Sequence, residues 1–219
     1  MVPRALTPVG VALVDKPAGP SSFAIVAQIR RMTGAKTGHA GTLDPFATGL
    51  LLILSGRSTK LAPSLVGLDK RYLTQIDLTA TTTTGDPEGD VVEEHDVPVD
   101  LDLDALRGEI ELPIPMASAV KIDGERAYAL HRRGVEVEMP LRRSTVHALE
   151  VVDRTETTVT LDLRVSTGTY VRAIAQALGG HCRTLRRTEV GAFSVDDAVA
   201  PESFTADALL PESDVLARL

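Results

Sequence analysis

Short aliphatic runs alternate along the chain with segments whose apolar residues recur every three or four positions, a pattern that predicts interleaved strands and helices. Gly10 to Asp15 (GVALVD) meets Lys16, Pro17, Ala18 and Gly19, which reads as a buried strand entering a turn. Ser21 and Ser22 then offer N-cap hydroxyls, and Ser22, Ile25, Val26, Ile29 and Met32 share one helical face that Gly34 ends. Gly38 to Gly49 reads as a polar loop rich in Gly, Thr and Pro, followed by a second buried strand over Leu50 to Leu54. From Lys70 to Ala80 the period falls to two, with Tyr72, Thr74, Ile76 and Leu78 on one face. Asp86 to Pro98 is polar and turn-rich, Leu101 to Ile110 is expected to be an acidic helix, and Asp123 to Gly134 a turn into a helix with a basic end. Val159, Leu161, Leu163 and Val165 mark a half-buried strand, after which Ser166 to Thr169 (STGT) turns into a helix facing inward through Val171, Ile174, Ala175 and Leu178. With no internal repeat and several half-exposed strands, a mixed α/β (α+β) arrangement is expected rather than an all-parallel sheet.

Composition narrows the class. At 219 residues, 43% of them apolar, the chain can bury the core of one or two domains. The lone Cys182 excludes a disulfide scaffold and points to a reducing cytoplasm. No apolar run approaches about 18 residues, and Met1 to Gly10 lacks the features of a signal peptide, so membrane and secreted readings are set aside. The net charge of −7 on its face argues against a polyanionic partner. Its distribution reverses that inference. Asp86 to Glu111 holds eleven acids against Arg107 alone, and Phe193 to Leu219 six against Arg218, which leaves twenty-one bases against thirteen acids elsewhere. Those bases cluster at Arg30, Arg31 and Lys36, at Lys70 and Arg71, at Lys121 and Arg126, at Arg132 and Arg133, at Arg142 and Arg143, and at Arg183, Arg186 and Arg187. Solvated faces would explain any one pair, but the set makes a basic surface the better expectation.

Most familiar chemistries find no support. Cys182 and the five histidines, His39, His95, His131, His147 and His181, form no two-plus-two ligand spacing, so no metal is expected. Gly49 to Ser58 (GLLLILSGRS) sets its glycines too far apart for a phosphate-binding loop and places Arg57 where Lys should follow. Neither GxSxG nor GxGxxG occurs. The densest unusual segment is Gly38 to Gly49 (GHAGTLDPFATG), where glycines, a proline, His39 and Asp44 sit between apolar strands. Taken alone, Asp44 either caps a turn before Pro45 or is a carboxylate presented by a shaped loop.

The segment resembles the signature of the TruB family of tRNA pseudouridine synthases, close to GHxGTLDPxATGxL. Leu13 to Arg31 is similar to the family's DKPxGxTS opening, with Ser21 in place of the usual Thr, and Asp69 to Tyr72 resembles its DKxY motif. Asp86 to Gly89 (DPEG), Met116 to Gly124, Arg126 to Tyr128, Ser166 to Arg172 (STGTYVR) and Leu185 to Arg187 (LRR) resemble further motifs in family order, from about Gly10 to Phe193. The resemblance implies a pseudouridine synthase fold, with a largely antiparallel central sheet crossed by a catalytic cleft. It implies isomerisation of uridine 55 in the T arm of tRNA to pseudouridine, without metal or organic cofactor. It makes Asp44 the nucleophile, Arg172 its ionic partner and Tyr72 a residue that packs on the target base and can transfer a proton. His39 would fill the space left by the flipped base, since unstacking costs a few kcal/mol, and Tyr170 and Leu185 would contact the flipped nucleotide. Lys16, Lys121, Arg132, Arg186 and Arg187 become expected phosphate contacts.

Departures accompany the match. The connection from Ala175 to Leu185 is several residues shorter than usual, Ala80 replaces a glycine, and Leu112 to Met116 (LPIPM) lacks the common Gln-x-PP pattern. The expected organisation is a catalytic domain over residues 1–195 and a short acidic tail over 196–219, too short for the PUA-type RNA-binding domain that many members carry. The expected partner is the T-arm stem-loop of tRNA, with no membrane and no obligatory protein partner. Two rivals are a non-catalytic RNA-binding or RNA-folding protein and a nucleoside glycosylase that would release free uracil.

Overall fold

The buried strand predicted first, β1 (Gly10–Lys16), opens the computed structural model, which describes residues 8–135 and 137–219. It is followed by α1 (Ser22–Thr33), β2 (Thr37–Ala40), β3 (Thr48–Ser55), α2 (Ala62–Gly67), β4 (Lys70–Asp77), β5 (Ala80–Thr82), β6 (Val91–Glu94) and β7 (Gly108–Pro113). The remainder comprises β8 (Lys121–Ile122), β9 (Glu125–Arg126), α3 (Ala127–Arg132), β10 (Leu141–Arg154), β11 (Thr158–Val165), α4 (Val171–Ala177), β12 (His181–Val190), β13 (Phe193–Ser194) and α5 (Glu212–Leu216). The chain divides into two units, one running up to Tyr72 and resuming at Arg186–Leu219, the other comprising Leu73–Leu185. It passes from the first to the second inside β4 and returns inside β12.

The first unit is organised around β3. Every residue from Gly49 to Ser55 is buried, as a continuous apolar run requires of a strand covered on both faces. Along one edge β3 pairs antiparallel with β1, Gly10 opposite Ser55 and Lys16 opposite Gly49. Along the other it pairs antiparallel with β2, His39 opposite Ile53, and parallel with β12 at Thr48 and Gly49. The sheet is therefore mixed. Ser21 caps α1 by accepting the Ala24 N–H, and Gly34 closes it in the left-handed conformation at φ 64°. Ile25, Val26 and Ile29 face inward as expected, but Met32 is half exposed: the apolar stripe stops one turn before the helix does. The segment read as one loop from Gly38 to Gly49 is shorter than expected, because ladder bonds to β3 extend β2 to Ala40 and β3 begins at Thr48. Residues 196–219, acidic in composition, send Phe204 and Val215 inward. Val215 joins Val11, Leu13, Leu50, Leu52, Leu54, Leu65 and Phe193 in one core cluster, and Leu210 bridges Val11.

In the second unit β4, β11, β10 and β7 lie side by side in that order. β10 pairs antiparallel with β11, Leu149 opposite Leu163, and with β7, Arg142 opposite Leu112. The period-two readings hold: Lys70, Tyr72, Thr74 and Ile76 are buried on β4, and Val159, Leu161, Leu163 and Val165 on β11. The acidic helix expected over Leu101 to Ile110 is absent. Asp104–Leu106 makes one 3-10 turn and Gly108–Pro113 is a strand, whose buried Ile110 sits between exposed Glu109 and Glu111. That alternation is a strand signal, and it begins only at Gly108 (φ 75°), a conformation that a helix interior does not adopt. The turn-rich stretch after Asp86 contains β6, which forms a hairpin with β5. Among the described residues no helix is long and apolar enough to cross a membrane.

Candidate functional site

Asp44 sits in the seven residues between β2 and β3, half-buried, and the backbone around it is tied down on both sides. Ahead of it, Arg187 donates through Nη2 to Gly41 O (3.1 Å) and through Nη1 to Thr42 O (3.5 Å), while its Nε donates to Leu50 O (2.7 Å). The Ser22 hydroxyl accepts from Leu43 N and donates to Leu43 O, both at 2.8 Å. Behind it, Lys16 Nζ donates to Pro45 O (3.1 Å) and Ala47 O (2.6 Å), and also to Pro17 O (2.9 Å). Gly19 N donates to Pro45 O at 2.8 Å. A loop so bonded presents its carboxylate from a fixed backbone, which is what a nucleophile or base needs to meet a reacting atom.

This arrangement corrects two readings. Lys16 and Arg187, expected to contact phosphate, are 0% and 1% exposed, and their donors are directed at carbonyl oxygens of the Asp44 loop and its flanks. Gly49 explains why Arg187 comes so close: its φ is +102°, and a Cβ there would lie 2.2 Å from Arg187 O. Arg186, next in the same motif, is half-buried and forms a bidentate pair with Asp15 at 2.8 and 3.0 Å, which raises its pKa through those hydrogen bonds.

His39 lies at the third position of β2, its ring edge-to-face with Phe23 at 5.7 Å and 89°. Its Nδ1 is buried without a hydrogen-bond partner among the described residues. Burial, followed by the Arg187 charge, lowers its pKa below the usual imidazole value. A neutral, flat ring is thus held beside a highly exposed aromatic, a surface suited to stacking. On β4, Tyr72 is buried and belongs to the same face as Lys70, whose ammonium donates to Val66 O and Leu68 O. Burial and then Arg187 push Lys70 down to about 8, against the opposing pull of Asp69.

The second unit holds the remaining expected residues. Tyr170 is the N-cap residue of α4, and Arg172 lies in its first turn, only 2% exposed. Arg172 donates to Thr84 O (2.7 Å) and Ala117 O (2.8 Å), and its Nη1 is 3.2 Å from Asp86 Oδ2. Asp86 is itself braced by the Thr84 hydroxyl (2.6 Å) and by Glu88 N (3.0 Å). Here the structure shows a contact that the sequence reading missed. Asp86 was seen only as the start of a DPEG turn, yet it is the buried carboxylate that orients Arg172. Ser22 was likewise read as a cap when it clamps Leu43; the signal available for both was membership of a motif block. Leu185 is buried on β12, whereas Lys121 on the β8–β9 hairpin and Arg132 at the end of α3 are exposed and open to a polyanion.

Comparison with known proteins adds five findings. The model for the TruB family pseudouridylate synthase N-terminal domain matches residues 30–171. The chain is 41% identical over 210 residues to tRNA pseudouridine synthase B of Marinomonas sp. (strain MWYL1), covering 90% of this chain and 68% of that protein. It is 44% identical over 220 residues to tRNA pseudouridine synthase B of Mycobacterium sp. (strain KMS), with coverage of 93% and 72%. Among solved structures, a Cbf5-Nop10-Gar1 complex matches with TM-score 0.73 and 25% identity over 97% of this chain and 63% of that one. A pseudouridylate synthase crystal structure shares the fold at TM-score 0.54 and 18% identity, over 98% of this chain and 76% of that one.

Proposed function

Because this chain belongs to the TruB family of pseudouridylate synthases, we propose that it isomerises uridine 55 in the T arm of tRNA to pseudouridine, with Asp44 as the nucleophile. The reaction breaks the C1′–N1 bond, turns the uracil and forms a C1′–C5 bond; the C5 proton is lost and N1 is protonated, so no external reagent is consumed. Attack of Asp44 on C1′ and removal of the 2′ proton both require an ionised carboxylate held in place. The observation that carries the reading is the loop itself: its main-chain groups at Gly41, Thr42, Leu43, Pro45 and Ala47 are held by Arg187, Ser22, Lys16 and Gly19, and Asp44 is its one acidic residue.

The reading gives Arg172 the positive charge that favours the ionised nucleophile, and Tyr72 contact with the target base and a proton-transfer role. Support for the first lies in how firmly Arg172 is set by Asp86, Thr84 and Ala117. His39 takes the place of the extruded base, supported by its neutral ring and its packing on Phe23. Tyr170 and Leu185 contact the flipped nucleotide, while Lys121, Arg132 and Arg186 meet phosphates. The enzyme works in the cytoplasm, where its tRNA is, without an obligatory protein partner.

The test is incubation of wild type and Asp44→Asn with unmodified tRNA and with a T-arm stem-loop, followed by carbodiimide mapping. Wild type is expected to yield pseudouridine at position 55, and Asp44→Asn to fold normally and yield none. Turnover by the variant removes Asp44 as nucleophile; free uracil as product would establish a glycosylase instead.

A further inference from the structure

The paired arginines at the start of β10 have separate fates. Arg143 lies opposite Glu111 of β7 and bonds to it at 3.0 Å, so its charge is already answered. Arg142 points to the other face of the same ladder, opposite Leu112, with Ser144 and Ile110 as its neighbours on that face. There it borders a shallow, half-open depression that Thr169, Tyr170 and Ala173 also line. Its guanidinium lies against Gly168: a Cβ at that glycine would sit 2.2 Å from Arg142 Nη2, and Gly168 has φ +81°. The glycine of the STGT turn therefore makes room for this cation. Arg142 is exposed, and among the described residues it has no carboxylate or hydrogen-bond partner.

We propose that Arg142, with the Gly168–Tyr170 turn, forms a seat for one phosphodiester of the RNA strand. The inference rests on the reading of this chain as an RNA-modifying enzyme and deepens it. A free guanidinium laid on a backbone turn offers its fork to phosphate oxygens. Beside it the hydroxyls of Ser144 and Thr169 and the phenol of Tyr170 suit a sugar-phosphate, while Ile110, Leu112 and Ala173 exclude water from one side. The seat meets the phosphate at the surface and leaves the base outside.

The experiment measures affinity for a T-arm stem-loop over a range of salt concentrations, for wild type, Arg142→Gln and Arg143→Gln. Loss of one phosphate contact lowers the slope of log K against log salt by about 0.7 to 0.9. Arg142→Gln is expected to show that reduction and weaker binding, and Arg143→Gln to keep the wild-type slope. An unchanged slope in Arg142→Gln overturns the proposal, as does an equal loss in both variants, which would reflect general surface charge. Because the readout is binding, the two readings fail separately. Wild type that binds with full slope but forms no pseudouridine refutes the catalytic assignment and leaves the seat standing.

Discussion

Replacing Arg187 by Met tests whether the Asp44 loop depends on a buried cation. The wild-type guanidinium makes two bonds of ordinary length, to Leu50 O (2.7 Å) and Gly41 O (3.1 Å), and a third at the limit, to Thr42 O (3.5 Å). A buried bond to a charged donor contributes about 1.5–3 kcal/mol, so the two good ones represent about 3–6 kcal/mol. Relief from burying the charge offsets part of this loss. The carbonyls remain, however, and no other donor replaces the fork, so a net loss of about 3 kcal/mol is expected. Against a typical total of about 5–15 kcal/mol, that leaves a folded but weakened protein. Urea unfolding of wild type, Arg187→Met and Arg187→Lys measures the loss, and pseudouridine formation at saturating stem-loop reads the loop. The Lys variant separates charge from geometry. Since Arg187 helps push Lys70 down to about 8, Arg187→Met should raise the Lys70 value, while Arg187→Lys should leave it low yet still lose stability. A change below about 1 kcal/mol in Arg187→Met with undiminished turnover would refute the clamp.

Further outcomes follow from other contacts. Asp86→Asn removes the carboxylate 3.2 Å from Arg172; turnover should fall by about 10- to 100-fold, equivalent to about 1.4–3 kcal/mol, while stem-loop affinity is retained in a filter-binding assay. Gly49→Ala places a Cβ 2.2 Å from Arg187 O at a φ of +102°, so thermal unfolding should show a large drop in Tm or no folded protein. Lys70 titrates at about 8 when folded and higher when unfolded, so between those values the unfolded state holds more protons and stability rises with pH. Lys70→Met should flatten the rise above pH 8 in denaturation midpoints. For His39, whose pKa is lowered, NMR titration should show the ring staying neutral below the usual imidazole midpoint, with stability falling as pH drops through that window.

Much of the molecule was legible in the residues alone, because local signals and tertiary demands agree there. The continuous apolar run of β3, the period-two faces of β4 and β11, and the Ser21 and Gly34 ends of α1 need nothing beyond burial, pleat and capping to be read. The position of Asp44 within a motif was equally plain. The acidic stretch before β7 misled, since acids at irregular spacing suit an exposed helix and an edge strand equally, and pairing with β10 decided between them.

Charge is where sequence and tertiary structure part. The chain by itself determined that cations cluster outside two acidic blocks, but a cation in a sequence carries no statement of what it faces. Tertiary structure sent Lys16 and Arg187 into the interior, because the carbonyls of an irregular loop need donors once water is excluded. It set Arg172 against Asp86, paired Arg186 with Asp15 and Arg143 with Glu111, and left Arg142 exposed beside a glycine turn. The pleat alone separates the last two, adjacent arginines on opposite faces of one strand, and it acquires meaning only when a partner strand lies beside it.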